Sequence, residues 1–513
     1  MAFYDKLKTV LDQRKQLTEN GAVAFETSGS ALVDMNYKIP SYRDADEQTI
    51  LNDFLKAYSE DPELAIKWMF YAGDIRQGLG ERRLFKILVK NVLPAHPHLI
   101  SLIPEYSRWD VVTELLDTRI KNDVAELIKD QLQKDNYAMK NNKPASLMAK
   151  WLPSINTSSK ETVRKATILS NLLGMPPAVY RKTLAALRKY LDVTEVKACA
   201  NQWDKIDYEK VPSKANLLYK EAFMKHDPER RQQYIDALSK GEVKVNAGAL
   251  FPHEIVHKYI SENYWGESAV KETDYFLESM WKALPKKDAS SKPVIVVRDG
   301  SGSMECNVSS KSKVTALDIA TALAIYFSEN AHADFKDKFI TFSERPKLVD
   351  LSNLDSLRDK VARAYKEVEC SNTNIEKTFQ LILDTAVAND MKQEDIPDIL
   401  IISDMEFDAS VGSNSSMGTC YCRLQDKNPT LFDDIAKQWK TFGYELPSVT
   451  FWNVNSRTNS VPMQKNKLGV KLVSGFSQNV LDLVMNNELT PFDALKNVLT
   501  GERYSPIALE ESV

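Results

Sequence analysis

Cysteine is sparse, with five in 513 residues: Cys199, Cys306, Cys370, Cys420 and Cys422. An odd, thinly spread set supplies no disulfide framework and suits a reducing compartment. Cys420-Tyr-Cys422 has the wrong spacing for a thioredoxin-type pair, and no second pair completes a four-cysteine zinc site. Long apolar runs are missing too. Stretches such as Val294–Val297 are a few residues long, whereas a bilayer crossing needs about 20. The first eight residues, Met1 to Lys8, thread charges through their apolar positions and lack the apolar block of a secretory signal. These absences predict a cytoplasmic protein with no membrane partner. The phosphate loop Gly-x₄-Gly-Lys-Ser/Thr and the fingerprint Gly-x-Gly-x-x-Gly are also absent from the region where an α/β domain would carry them, which removes the usual nucleotide-binding explanations.

What is present is an ordinary globular composition, 43% hydrophobic and 27% charged, which excludes a wholly disordered or fibrous chain. The length implies two or three domains. The net charge of −4 hides an asymmetry: residues 1–290 hold 43 Lys and Arg against 40 Asp and Glu, and residues 291–513 hold 24 against 31. Residues 151–220 hold 12 basic and 6 acidic residues. Such an excess suits phosphate binding, and suits a solvated helical face equally well.

From Asp46 to about Glu278 apolar residues recur every three or four positions, as in Ile50, Phe54, Leu55 and Leu64, Ile66, Met69, Phe70. Prolines at 62, 176–177, 212 and 228 mark helix starts. Many short helices, none able to bury a face alone, predict an all-helical, HEAT-like solenoid or ring over residues 1–285. Near 285–290 a polar linker gives way to the β-rich run at Val294. Beyond it strand-like runs (Val294–Val297, Lys338–Phe342, Ile399–Ile402, Ser448–Trp452, Gly469–Val473) alternate with helical stretches (Val314–Ser328, Ile375–Ala388, Leu431–Phe442, Gln478–Met485). Short continuous apolar strands between helices predict a doubly wound parallel sheet over residues 290–500, with 501–513 as a tail.

The first of those strands runs into Arg298-Asp299-Gly300-Ser301-Gly302-Ser303. In a doubly wound sheet, ligands bind outside the carboxyl ends of the strands, where this loop falls. Asp299, Ser301 and Ser303 make a hard oxygen-only set suited to Mg²⁺ or Mn²⁺. Cys370-Ser371-Asn372-Thr373-Asn374 opens the helix at Ile375, and the strand Asp398–Ser403 ends on Asp404 as the first ends on Asp299. The order Asp-x-Ser-x-Ser, Thr loop, strand-terminal Asp resembles the metal-ion-dependent adhesion site of von Willebrand factor A domains. The resemblance implies a metal set of Asp299, Ser301, Ser303, Thr373 and Asp404, with an open position for a protein partner's carboxylate. The Thr loop departs from the common Gly-Gly-Thr.

Gly78–Arg83, Lys150–Pro153, Trp203–Tyr208, Val211–Ser213 and Asn246–Glu254 resemble the anchors of a Ro-like family that is similar to TROVE-domain proteins, in which a HEAT-like ring precedes a von Willebrand A domain. In TROVE proteins the ring binds small structured or misfolded RNAs, so the resemblance implies a structured-RNA partner in a ribonucleoprotein, and no enzyme. Arg164, Lys165, Arg181, Lys182, Arg188 and Lys189 are the cations to meet phosphates. Tyr180, Tyr190 and Trp203 lie among them as aromatics able to stack on bases, or as core.

His253-Glu254-Ile255-Val256-His257 fits His-Glu-x-x-His, the zincin helix, and makes a zinc metallopeptidase the alternative reading. A third ligand would come from Glu262, Glu267, Glu272 or Glu278. Pro252 places the pair in the first turns of its helix. A protein-only scaffold with a metal-dependent adhesion site is a further alternative.

Overall fold

The computed structural model describes residues 15–262, 268–286, 293–342, 345–368, 374–408, 431–463, 467, 469–480 and 489–510. The chain forms two compact units. One joins residues 1–65 to 250–501, and the other joins 66–249 to 502–513.

The first unit holds ten strands among its described residues. β1 (Lys15–Leu17) and β2 (Val23–Phe25) form an antiparallel hairpin, as do β3 (Ile260–Glu262) and β4 (Ser268–Val270). The other six are β5 (Val294–Asp299), β6 (Lys338–Phe342), β7 (Leu348–Asp350), β8 (Asp398–Ser403), β9 (Val449–Asn453) and β10 (Val470–Ser474), in the order β10-β9-β8-β5-β6-β7. All pairings in this sheet are parallel except that of the edge strand β7. β8, β9 and β10 are buried at every position, as a parallel sheet covered by helices requires. The helix Ala316–Glu329, buried along almost its whole length, packs on β5, β6 and β8. Thr315 and Asp318 start it with a reciprocal capping box. The chain runs outward from β5 to β7 and then returns to place β8 on β5's other side. The switch point of the topology therefore lies between β5 and β8.

The predicted linker at 285–290 does not separate the compact units. The helix Pro252–Tyr259 packs on the helix Ala316–Glu329, and the indole of Trp281 donates to Glu329 at 2.9 Å. Glu278 accepts the Leu357 and Arg358 amides at 2.8 and 3.0 Å, satisfying open N–H groups of the helix Leu357–Lys366. Upstream, Phe25 bridges to Val461, and Asn453 donates to the Tyr37 carbonyl at 2.9 Å. The segments flanking the helical region thus complete the α/β unit.

The second unit is all α and 3₁₀ helix among its described residues. Pro177 and Pro228 each open a helix, and Pro212 precedes the helix Ser213–Leu218. Successive helices pack on close neighbours in sequence, as the helices Lys121–Lys140, Lys160–Leu172 and Pro177–Tyr190 do. Gly73 shows how tight this is: a β-carbon there would lie 2.3 Å from the Phe85 ring. The expected tail is part of this unit. Buried Asp74 accepts from Arg503 at 2.9 Å and from the Tyr504 hydroxyl at 3.2 Å. Tyr504 also stacks on Tyr106, and Ile507 is buried.

Candidate metal centre

Asp299 closes β5, and Asp404 directly follows β8. Because Arg298 pairs with Ile402 across the two parallel strands, Asp299 and Ser403 come level one residue further on. The Ser403 hydroxyl donates to Asp299 Oδ2 at 2.6 Å and accepts the Met405 amide at 2.9 Å. The Ser301 amide donates to Asp299 Oδ1 at 2.9 Å, the hydroxyls of Ser301 and Ser303 lie 3.0 Å apart, and Ser303 hydrogen-bonds Asp404. Two carboxylates and two hydroxyls converge at the switch point. Met405, next to Asp404, has a φ of 64°, left-handed backbone that a side chain rarely adopts and a sign of the strain that functional sites store. A β-carbon at Gly300 would lie 3.2 Å from the Arg298 guanidinium, a tight contact.

Both carboxylates are 0% exposed. Burial, and then the neighbouring Asp404, push the Asp299 carboxyl up to about 7 despite hydrogen bonds from Ser403 and Ser301. Burial also raises Asp404, against hydrogen bonds from Ser303 and the Glu406 amide. Two buried like charges in one crevice are costly unless protonated or neutralised by a cation. The donor set is all oxygen, which suits a hard divalent ion. Asp299, Ser301, Ser303 and Asp404 lie together at these strand ends, and an all-oxygen set of this kind is one that a hard ion such as Mg²⁺ or Mn²⁺ accepts. Thr373 lies outside the described residues.

Ser403, Glu406, Arg457 and Glu19 escaped the sequence reading. Glu406 is fully buried, and its carboxylate accepts the amides of Glu19, Arg457 and Thr458 at 2.8 to 2.9 Å. Arg457 Nη2 lies 3.4 Å from Asp404 Oδ2 and 2.7 Å from Glu19 Oε2. Ser403 was legible as the residue before a strand-terminal Asp; Glu19 and Arg457, far away in sequence, gave no signal.

The six basic residues separate into two groups. Arg164 holds Asp117 through both terminal nitrogens at 2.7 Å and also Glu161, and Lys165 holds Glu114 at 2.6 Å. Arg188 donates to the Ala149 and Leu152 carbonyls and to Ser154 at 2.7 to 2.8 Å, an internal clasp. Arg181, Lys182 and Lys189 lie on the helix Pro177–Tyr190, Arg181 and Lys182 on its first half and Lys189 in its last turn. All three are exposed. The aromatics are engaged within the fold. Tyr180 is core and donates to the Pro153 carbonyl at 2.9 Å, Tyr190 donates to the Lys143 carbonyl at 2.8 Å, and Trp203 stacks on His226 at 4.5 Å. Tyr180 sits on the buried face with Leu184 and Leu187, where no base can reach it.

The His-Glu-x-x-His helix is structural. His253 is buried against Phe476, 5.0 Å between rings. Glu254 accepts the Phe251 amide at the start of its own helix at 3.1 Å. His257 Nδ1 lies 2.7 Å from Asp318 Oδ2. The two imidazoles reach different neighbours rather than one point, and the Glu that would activate water caps a helix. Of the expected third ligands, Glu278 caps another helix, Glu272 is exposed, and Glu267 and the Glu262 side chain lie outside the described residues. No group of three His, Cys, Asp or Glu side chains converges as a metal cage among the described residues. As placed, His253, Glu254 and His257 do not assemble the zinc site that the spacing suggests.

Residues 293–503 match the family described as Domain of unknown function (DUF7788). Residues 18–103 and 171–288 match Domain of unknown function (DUF2828). The chain is similar to the Uncharacterized protein L728 of Acanthamoeba polyphaga mimivirus, 29% identical with 96% of this chain and 88% of that protein covered. Among solved structures it resembles the Ro (RSR) protein of Deinococcus radiodurans at 15% identity and a TM-score of 0.40, covering 90% of this chain and 93% of that one. No described helix is long and apolar enough to cross a membrane.

Proposed function

We propose that the chain is a non-enzymatic binding protein whose α/β unit holds one Mg²⁺ or Mn²⁺ and whose helical unit binds structured RNA. The observation that carries the first half is the buried pair Asp299 and Asp404, both with raised proton affinity, at the carboxyl ends of adjacent parallel strands. Asp299, Ser301, Ser303 and Asp404 would hold the ion, with Thr373 completing the set that the von Willebrand factor A resemblance implies. A cation held there would offer an open position to a partner's carboxylate. The chain's own residues orient the site: Ser403 ties the two strand ends, and Glu406 fixes the loop after β8. Calorimetric titration with Mn²⁺ tests this half. One binding event per chain, absent from Asp299→Ala, is expected; undiminished binding by that variant overturns it.

The RNA half rests on the Ro-like sequence resemblance and on Arg181, Lys182 and Lys189, carried together on one helix. Backbone contacts dominate recognition of structured RNA, so sequence preference should be slight. An electrophoretic shift with a structured small RNA, run at two salt concentrations on the full chain, tests it. A cut near residue 285 would split a compact unit. A shift that weakens with salt is expected. With no shift, the protein-only scaffold becomes the better account.

A further inference from the structure

At the solvent end of the buried carboxylate pair stands an arginine that the metal reading leaves unused. Arg457 and Glu19 keep 38% and 49% of their side chains exposed, while Asp404 keeps none. Both residues have their backbone held by one group, since the Glu406 carboxylate accepts the Glu19 amide at 2.8 Å and the Arg457 amide at 2.9 Å. The backbone of each is thus anchored while its side chain reaches solvent. The guanidinium touches two acids unequally: 2.7 Å to Glu19 Oε2 and 3.4 Å to Asp404 Oδ2. The first is a short charge-assisted hydrogen bond, and the second is a long, weaker one donated by the same nitrogen.

We propose that Arg457 is a tethered counter-cation of the metal centre. It offsets the charge of Asp404 when no divalent ion is there and is held by Glu19 when one is, so the Arg457–Glu19 pair sets the affinity of the site for metal. This rests on the reading of Asp299 and Asp404 as metal ligands. The physical reason is like-charge repulsion. A guanidinium in reach of Asp404 competes for the same carboxylate as the ion, and the half-open position screens that repulsion without removing it. Glu19, on the turn of the β1–β2 hairpin, supplies the alternative acceptor, and the hairpin is held against the same loop by the Thr18 hydroxyl on the Phe407 carbonyl at 2.6 Å and by Asn20 on the Glu406 carbonyl at 2.6 Å. Residues at opposite ends of the sequence thereby act on one binding constant.

The test is Mn²⁺ calorimetry on the full chain at low ionic strength. Removing the competing charge with Arg457→Gln should tighten binding about tenfold, while Arg457→Lys, which keeps a charge, should stay within about threefold of the parent. Glu19→Gln should weaken binding about threefold, because the guanidinium then has Asp404 alone to turn to. In the double variant the effect of Glu19→Gln should vanish, since Glu19 acts through Arg457. Unchanged or weaker binding by Arg457→Gln overturns the proposal, as does a Glu19→Gln effect that persists in the double variant. The metal reading fails differently, by absence of Mn²⁺ binding in parent and Arg457→Gln alike or by undiminished binding in Asp299→Ala. Circular dichroism spectra that match the parent establish that each variant is folded.

Discussion

The two units handle charge in opposite ways. In the α/β unit, Asp299, Asp404 and Glu406 are wholly buried, and the donors around them are fixed by strand ends or by loops tied to them. In the helical unit, Arg181, Lys182 and Lys189 share a single helix towards solvent, and their neighbours Arg164, Lys165 and Arg188 are spent on internal partners. Buried charge is costly and persists where something compensates it, so it marks a specific site. Exposed charge costs little, so by its presence alone it marks much less.

The comparison breaks most sharply at Asp299. Asp299→Ala and Asp404→Ala should each abolish Mn²⁺ binding in calorimetry, whereas the triple variant Arg181→Ala, Lys182→Ala, Lys189→Ala should leave it intact. Loss of binding in the triple variant would mean that the separation of roles is wrong.

The next largest effect concerns the buried charge of the helical unit. Tyr504→Ala removes an aromatic that is stacked on Tyr106 and hydrogen-bonded to buried Asp74. It should cost about 3 kcal/mol in denaturant unfolding, in line with large-to-small core substitutions. A cost near zero would return residues 502–510 to the status of a tail.

His257→Ala should then destabilise the chain by about 2 kcal/mol, the scale for a buried carboxylate that is deprived of a hydrogen-bond partner. Hydrogen bonds from His257, Tyr365 and the Thr315 amide hold the Asp318 carboxyl below its ordinary value in spite of burial. The folded chain therefore takes up that proton less readily than the unfolded chain. The contribution of the pair is present above about pH 4 and is lost as pH falls through the lowered value. Urea unfolding at pH 7 and pH 3 checks the sign. Metal analysis of the same variant should show no zinc lost, and a stoichiometric zinc that depends on His257 would revive the peptidase.

The smallest effect is expected on the exposed face. The triple variant should weaken RNA binding about tenfold at low salt and flatten the dependence of log affinity on log salt by somewhat less than one unit for each phosphate no longer neutralised. Its stability should be unchanged. Arg188→Ala should instead lower stability by about 1–3 kcal/mol, because three acceptors are left without their donor.

Five of the six strands of the large sheet and the grouping of Asp299, Ser301, Ser303 and Asp404 at its strand ends were legible in the sequence, whereas the strands β1 to β4 and β7 were not. Val294–Val297 and Ile399–Ile402 read as buried parallel strands, the helix at Ile375–Ala388 was legible to the residue, and the Asp-x-Ser-x-Ser spacing named Asp299, Ser301 and Ser303 because a strand end and its loop are contiguous in sequence. Periodicity and capping are local, and so are the residues that express them. Which segments share a core emerged only on folding. The polar stretch at 285–290 looked like a boundary, yet Glu278 and Trp281 before it bond to residues far beyond it. Composition made six cations equivalent, and packing separated three from the rest, since an ion pair such as Arg164–Asp117 forms between elements whose meeting no local pattern encodes. The same holds for Glu19 and Arg457, brought to one carboxylate by a hairpin and a loop from opposite ends of the sequence. Side-chain chemistry is written residue by residue, but which charges meet is fixed by the burial of apolar surface, a property of the whole unit.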